Sequence, residues 1–82
     1  MHIVYIIKSI KTPGKIYIGI TRDLDKRLAE HNSGLSTYTK KFAPWEVETY
    51  ITFKNQVLAE RFERYLKVGS GQAFLIKHLL AK

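Results

Sequence analysis

The stretch HIVYIIKSIKTPGKIYIGI, His2 to Ile20, decides the fold. Its first half, His2 to Ile10, is dominated by β-branched and aromatic side chains (Ile3, Val4, Tyr5, Ile6, Ile7). That composition suits a strand buried on both faces or nearly so. Thr12-Pro13-Gly14 then joins a proline-fixed φ to glycine's access to positive φ, the chemistry of a tight connection. Lys15 to Ile20 is a second run of strand-forming residues, so the two make a β-hairpin with Lys11 and Lys15 beside its tip. Tyr5 and Tyr17 fall in its two strands. If they share a face they present two phenols to one side of a sheet, although packing alone also puts aromatics in strands.

Beyond the hairpin, Thr21 or Asp23 can cap a helix through LDKRLAEHN, which Asn32-Ser33-Gly34 closes with a glycine available for a left-handed residue. Leu35 to Pro44 is polar, basic at Lys40-Lys41, and reads as a loop or short helix ended by Pro44. Trp45 to Phe53 alternates as a third strand, with Trp45, Val47 and Thr49 on one side and Glu46, Glu48 and Tyr50 on the other. Asn55 is placed to cap a helix over Gln56 to Val68, which Gly69-Ser70-Gly71 ends. A last helix, Gln72 to Ala81, carries Phe74, Leu75, Ile76, Leu79 and Leu80. The order β-β-α-β-α-α predicts an α+β fold, a small three-stranded sheet, antiparallel or mixed, flanked by helices.

With 82 residues the chain has room for one core, so a single domain over 1–82 and a single site are expected. The absence of cysteine excludes disulfides and thiolate zinc sites, and suits a cytoplasmic home. His2, His31 and His78 lack the spacing of a metal finger. The N-terminus lacks the order of a signal peptide, and no apolar run approaches a membrane span. Fourteen Lys and Arg against seven Asp and Glu give +7. On so small a body that charge favours polyanions such as nucleic acid or an anionic membrane, though many small basic proteins are simply soluble ones.

Turning ~100° per residue puts Leu24, Leu28 and His31 on one stripe of the first helix, Arg27 at its edge, and Lys26 and Glu30 opposite. A face meant for packing therefore carries an imidazole and a guanidinium. A satisfied core histidine and an arginine laying its stem on apolar surface would explain both. On the Gln56–Val68 helix, Leu58, Phe62, Tyr65 and Leu66 project to the buried side, Glu60 and Arg64 to solvent, and Glu63 to the margin. Glu60 with Arg64, and Glu63 with Lys67, are spaced as i, i+4 ion pairs.

Taken in order, these residues resemble the GIY-YIG nuclease family, in particular its short stand-alone bacterial members. Ile3-Val4-Tyr5 stands at the first triplet, without its glycine, and Tyr17-Ile18-Gly19 is the second as written. Arg27 falls at the family's arginine, followed by His31-Asn32 and Gly34. Ala59 and Glu63, with Tyr65-Leu66-Lys67, resemble the helix with the single metal-binding glutamate; Pro44-Trp45 and Lys67-Val68-Gly69-Ser70-Gly71 resemble the short subfamily. The asparagine that larger members carry after this helix has no clear counterpart.

The resemblance implies a metal-dependent endonuclease acting on nucleic acid, expected to be DNA, with weak sequence or structure preference. Its implied catalytic set is Tyr5, Tyr17, Arg27, His31 and Glu63. Glu63 would hold a single divalent ion, Mg²⁺ or Mn²⁺. Arg27 would grip phosphate oxygens. The tyrosine of the first triplet is the family's usual general base, which here is Tyr5. A free phenol, with a pKa of about 10, is a poor base at neutral pH, so His31 stays open as an alternative. Lys11, Lys15, Arg22, Lys40, Lys41 and Arg64 are expected to contact phosphates. Neither a membrane partner nor a small-molecule cofactor is expected. Two other readings remain: a nucleic-acid-binding module with little turnover, and a basic interaction protein whose tyrosines are only core.

Overall fold

The computed structural model describes residues 1–80. β1 (His2–Ser9) and β2 (Ile16–Thr21) form the hairpin, and β3 (Trp45–Phe53) joins the other edge of β1. The strand order is β2-β1-β3, with both pairings antiparallel. A central strand must bury both faces, and Val4, Tyr5, Ile6 and Ile7 are all buried. The order β-β-α-β-α-α is as the sequence predicts.

Alternation on β1 divides the core in two. Val4, Ile6 and Ile18 cluster on one face with Ala59, Leu66 and Leu75. Tyr5, Ile7 and Trp45 cluster on the other with Tyr17, Leu24, Leu28, Phe42 and Val47. Thus α1 (Leu24–Ser33) and a 3₁₀ turn (Thr39–Phe42) cover the tyrosine face, while α2 (Gln56–Leu66) covers the opposite one.

The simple alternation expected for β3 fails halfway along. Ile6 pairs with Thr49 but Ile7 with Val47, so Glu48 is an extra residue in a β-bulge. Past it the faces exchange. Thr49 leaves the side of Trp45 and Val47 and donates its hydroxyl to the Leu79 carbonyl at 2.6 Å. Tyr50 takes its place, opposite Tyr5. Glu48 pairs with Lys8 at 3.3 Å.

The C-terminal helices also depart from the sequence reading. On α2 the buried direction runs through Ala59, Phe62 and Leu66, because alanine lets the helix sit close to the sheet; Leu58 and Tyr65 are instead 50% and 40% exposed. Gly69-Ser70-Gly71 is the first turn of α3 (Gly69–Phe74); the chain reverses just before it, at extended Val68 and at Gly69, whose φ of +51° uses the glycine's freedom. Gly71 packs against the end of α2, where a Cβ would overlap the Tyr65 carbonyl. A π-helical turn, Leu75–Leu79, continues from α3. The last residue expected in that helix, Ala81, lies outside the described residues.

Candidate functional site

On α1, Asp23 accepts from the Lys26 amide at 3.1 Å and caps the helix, and Gly34 closes it at φ +87°. Those two stops fix the helix phase, so Leu24 and Leu28 lean on the sheet and His31 is buried completely. Arg27, at the edge of that stripe, bonds through Nη1 to Glu30 at 3.0 Å. Glu30 therefore turns toward Arg27 and does not project away beside Lys26 as expected.

On the sheet, Tyr5 pairs with Gly19 and Ile7 with Tyr17, which puts both phenols on one face. Their ring centroids are 6.4 Å apart, and the Tyr17 ring lies 5.0 Å from that of His31. Tyr5 Oη and His31 Nε2 are hydrogen-bonded at 2.9 Å. His31 Nδ1 is 2.7 Å from Thr39 Oγ1. Tyr5 is 1% exposed, and Tyr17 is the phenol with open surface.

Burial sets the electrostatics. It pushes the Tyr5 phenol above its ordinary value, with the nearby Arg27 guanidinium pulling the other way. It pushes the His31 imidazole below 6.5, and there Arg27 adds to the effect while Glu30 opposes it. Near neutrality both groups are uncharged, and a neutral imidazole keeps one nitrogen free to accept a proton. Glu30 holds Arg27 firmly in its charged form.

Three positions that sequence reasoning did not assign a role hold this arrangement. Asn32 binds Trp45 twice, accepting from its amide at 2.6 Å and donating to its carbonyl at 3.1 Å. Trp45 Nε1 donates to the Thr39 carbonyl at 2.8 Å, and Thr39 is fully buried. Asn32 was visible as part of the family pattern, but Thr39 lies in an irregular segment where no periodicity marks a buried residue.

Glu63 stands elsewhere. It lies on α2, across the sheet from the tyrosines, and its Oε2 accepts from Lys67 Nζ at 2.6 Å. Gln56, Glu60, Glu63 and Lys67 form one flank of α2 by helical spacing. Gln56 and Glu60 line a cavity of about 250 Å³ with Ile20, Thr21 and Arg22. That flank thus faces β2, the strand that carries Tyr17 on its other side. Tyr5, Tyr17, Arg27 and His31 are gathered into one cluster; Glu63, on the helix that covers the opposite face of the sheet, does not join it.

The basic residues divide likewise. Ser9 Oγ donates to the Phe42 carbonyl at 2.6 Å and the Ile10 amide to the Pro44 carbonyl at 2.9 Å, docking the hairpin tip on the 3₁₀ turn. Lys15 Nζ sits 4.7 Å from the centre of the Phe42 ring. These two docked segments form one flank, on which Lys15 lies against Phe42 and Lys11, Lys40 and Lys41 are exposed; the half-exposed Tyr38 there is 6.2 Å from Tyr17. Arg22 is exposed between β2 and α1, and Arg64 is exposed on α2, away from that flank. The expected Glu60–Arg64 pair does not form; Glu60 accepts from Gln56 Nε2 at 3.2 Å.

Residues 1–74 match the family model described as the GIY-YIG catalytic domain. The chain belongs to the GIY-YIG family. A UPF0213 protein of Lactococcus lactis is 39% identical over 71 residues, covering 82% of this chain and 72% of that protein. Structure-specific endonuclease subunit SLX1 of Candida dubliniensis is 35% identical over 83 residues, 93% of this chain but 28% of its own length. The corresponding subunit of Schizosaccharomyces pombe is 38% identical over 65 residues, and the match spans 24% of it. The chain thus spans under a third of these endonuclease subunits. The solution structure of a UPF0213 protein from Bacillus halodurans superposes with a TM-score of 0.55 at 29% identity, over 93% of this chain and 82% of that one.

Within this GIY-YIG chain the second triplet has a direct physical reading. Ile18 points into the α2-side core and Tyr17 into the His31 cluster. Gly19 lies under Tyr5: a Cβ there would overlap the phenol oxygen and stand 2.6 Å from Cζ. Glycine is needed so that the Tyr5 ring can cross β2 and reach His31.

For a metal, the donor set is sparse. Among the described residues no group of three His, Cys, Asp or Glu stands together. One carboxylate with a free oxygen fits a hard divalent ion that keeps most of its waters and completes its shell with phosphate. Glu63 meets that description, with Lys67 as its present counter-ion.

Proposed function

We propose that this chain is a divalent-metal-dependent endonuclease that hydrolyses phosphodiester bonds in DNA and selects by nucleic-acid shape more than by base sequence. The observation that carries this reading is the buried 2.9 Å hydrogen bond between Tyr5 and a neutral His31, flanked by Tyr17 and Arg27. Family membership and the endonuclease relatives support a nuclease; that those relatives are structure-specific endonuclease subunits supports the shape preference. A cytoplasmic home belongs to the same proposal.

Hydrolysis requires a deprotonated water, neutralised phosphoryl charge and a stabilised leaving oxygen. Tyr5 accepts a proton from the attacking water as its own proton passes to His31 Nε2. The bond from water oxygen to phosphorus forms as the bond to the leaving oxygen breaks. This relay answers the weakness of a phenol as base, because the proton ends on an imidazole. Tyr5 is nearly closed to solvent, so Tyr17 or Arg27 must shift to admit the water. Arg27, with only Nη1 held by Glu30, offers its remaining donors to phosphate oxygens. Glu63 would hold the ion at the β2 edge; when bound, a divalent ion supplies Lewis-acid polarisation of the phosphate and stabilises the departing oxygen. Lys11, Lys15, Lys40 and Lys41 extend the phosphate-binding surface from the cluster.

A second reading, a nucleic-acid-binding module with little turnover, draws on the Glu63–Lys67 pair, which occupies the one carboxylate proposed for the ion. Incubation with supercoiled plasmid, branched DNA and single strands separates the two, with Mg²⁺, Mn²⁺ or chelator and beside Glu63→Ala. Cutting that needs the metal and disappears in Glu63→Ala supports the nuclease. Binding without cutting under every condition favours the module.

A further inference from the structure

The Tyr5–His31 contact has a direction, and the direction depends on a residue outside the family set. Tyr5 Oη is buried and carries one proton to donate. Arg27 beside it has no acceptor, so it cannot take that proton. His31 Nε2, at 2.9 Å, is the hydrogen-bond partner of the phenol among the described residues. Tyr5 therefore donates and Nε2 accepts. A neutral imidazole that accepts at Nε2 carries its hydrogen at Nδ1.

The other side of the ring gives the same answer. Nδ1 faces Thr39 Oγ1 at 2.7 Å, and Thr39 Oγ1 stands 3.5 Å from the Ser36 carbonyl. If the threonine hydroxyl donates to that carbonyl, its lone pair must receive the Nδ1 hydrogen. Only this polarity satisfies all three contacts, in the sequence Tyr5 to His31 to Thr39 to the Ser36 carbonyl. The hydroxyl is held there because the Thr39 carbonyl is fixed by Trp45 Nε1, and Trp45 by Asn32.

We propose that Thr39 is a positioning residue: by accepting from Nδ1 it anchors His31 in the tautomer whose bare Nε2 takes the Tyr5 proton. Its catalytic consequence rests on the nuclease reading above, whereas the tautomer does not. Valine at position 39 keeps the shape and the carbonyl but leaves Nδ1–H without an acceptor in a buried site. The Tyr5 hydroxyl, still needing its acceptor, keeps the hydrogen at Nδ1, but that N–H is now buried without a partner and the ring loses its second anchor. Serine keeps the acceptor.

Long-range ¹⁵N–¹H correlation of the His31 ring at neutral pH tests this without any substrate. The wild-type chain is expected to carry hydrogen at Nδ1, in a hydrogen-bonded, downfield position; Thr39→Val should move that signal upfield and speed its exchange with solvent, and Thr39→Ser should retain the wild-type form. A wild-type ring protonated at Nε2 overturns the proposal, as does a folded Thr39→Val whose Nδ1–H signal and exchange are those of the wild type. If Thr39→Val does not fold, the wild-type and Thr39→Ser spectra still decide. With a cleavable DNA, Thr39→Val should lose ~10-fold or more in kcat at unchanged KM, and Thr39→Ser should recover it. A DNA that no variant cuts removes the nuclease reading and leaves the spectroscopic result standing; unchanged kcat in a Thr39→Val that cuts DNA overturns the positioning role.

Discussion

Tyr5 Oη and His31 Nε2, 26 residues apart in the chain, meet at 2.9 Å in a site closed to water. Each satisfies the other, so removing either leaves a buried polar atom without a partner. Tyr5→Phe should cost about 1–3 kcal/mol in urea unfolding and lower cleavage by ~10²-fold or more. Tyr17→Phe keeps the ring over His31 and should change stability by no more than about 0.5 kcal/mol. Equal destabilisation by the two substitutions would contradict the buried pair.

Both members of that pair are held neutral, which bounds stability on two sides. His31 titrates below 6.5 in the folded chain, chiefly through burial and secondarily through Arg27, with Glu30 opposing. As pH falls below 6.5 the unfolded state takes up the proton first, so stability present above that value is lost toward the folded pKa. Tyr5 is raised above 10.0, again by burial first. As pH rises past 10.0 the unfolded state loses its proton first, and stability present below that value is lost. Thermal unfolding followed from about pH 4.5 to about pH 11 should show a plateau between these two windows. His31→Gln should flatten the acid limb and leave the alkaline limb in place.

The sheet, the caps and the tyrosine pair were legible because each has a short-range cause. A central strand needs two apolar faces, Asp23 and Asn55 supply oxygens to free amides at 3.1 and 3.0 Å, and Pro13-Gly14 sets the hairpin. What the sequence hid depends on partners distant in the chain. The bulge at Glu48 is one extra residue inside an otherwise alternating strand, and nothing local announces it. Gly71 has the composition of a helix stop, yet its use is close packing on the Tyr65 carbonyl. Thr39 sits in a polar segment, and only the fold shows it buried against His31.

Two glycines make opposite demands on function and fold. Gly19→Ala forces the buried Tyr5 ring aside, so it should cost about 1–3 kcal/mol and also abolish cleavage. Gly71→Ala meets backbone instead of a side-chain end, and α3 must separate from α2. Its effect should fall on stability, at the upper end of the ~1–3 kcal/mol of overpacking or beyond, while the His31 ring signals remain as in the wild type at low temperature. Chemical denaturation and ring-resolved spectra check both.

Lys40 and Lys41 are exposed on the 3₁₀ turn against which the hairpin tip, with Lys11 and Lys15, is docked. If both contact phosphates, Lys40→Ala/Lys41→Ala should weaken binding to all duplex sequences alike. It should also reduce the slope of log affinity against log salt by about 2, near 0.9 for each phosphate released. Arg64→Ala, on a different surface, should change that slope little. Fluorescence anisotropy over a salt series measures both.

Glu63 and Lys67 offer the sharpest division between an ion-holding carboxylate and a surface ion pair. At 2.6 Å the ammonium competes with any cation for the same oxygen, although the pair is partly open to water and contributes little to stability. Lys67→Ala should therefore free the carboxylate, so that half-maximal cleavage needs less Mg²⁺ and Mn²⁺ binds more tightly in a titration. Glu63→Gln keeps size and helix propensity but loses the charge, and should abolish ion binding with or without Lys67. In a Glu63→Gln background, Lys67→Ala then has no effect on metal affinity, because the competition acts through that carboxylate alone. Were Glu63 only a surface partner of Lys67, the two single substitutions would leave metal dependence unchanged and move the unfolding free energy by at most about 1 kcal/mol.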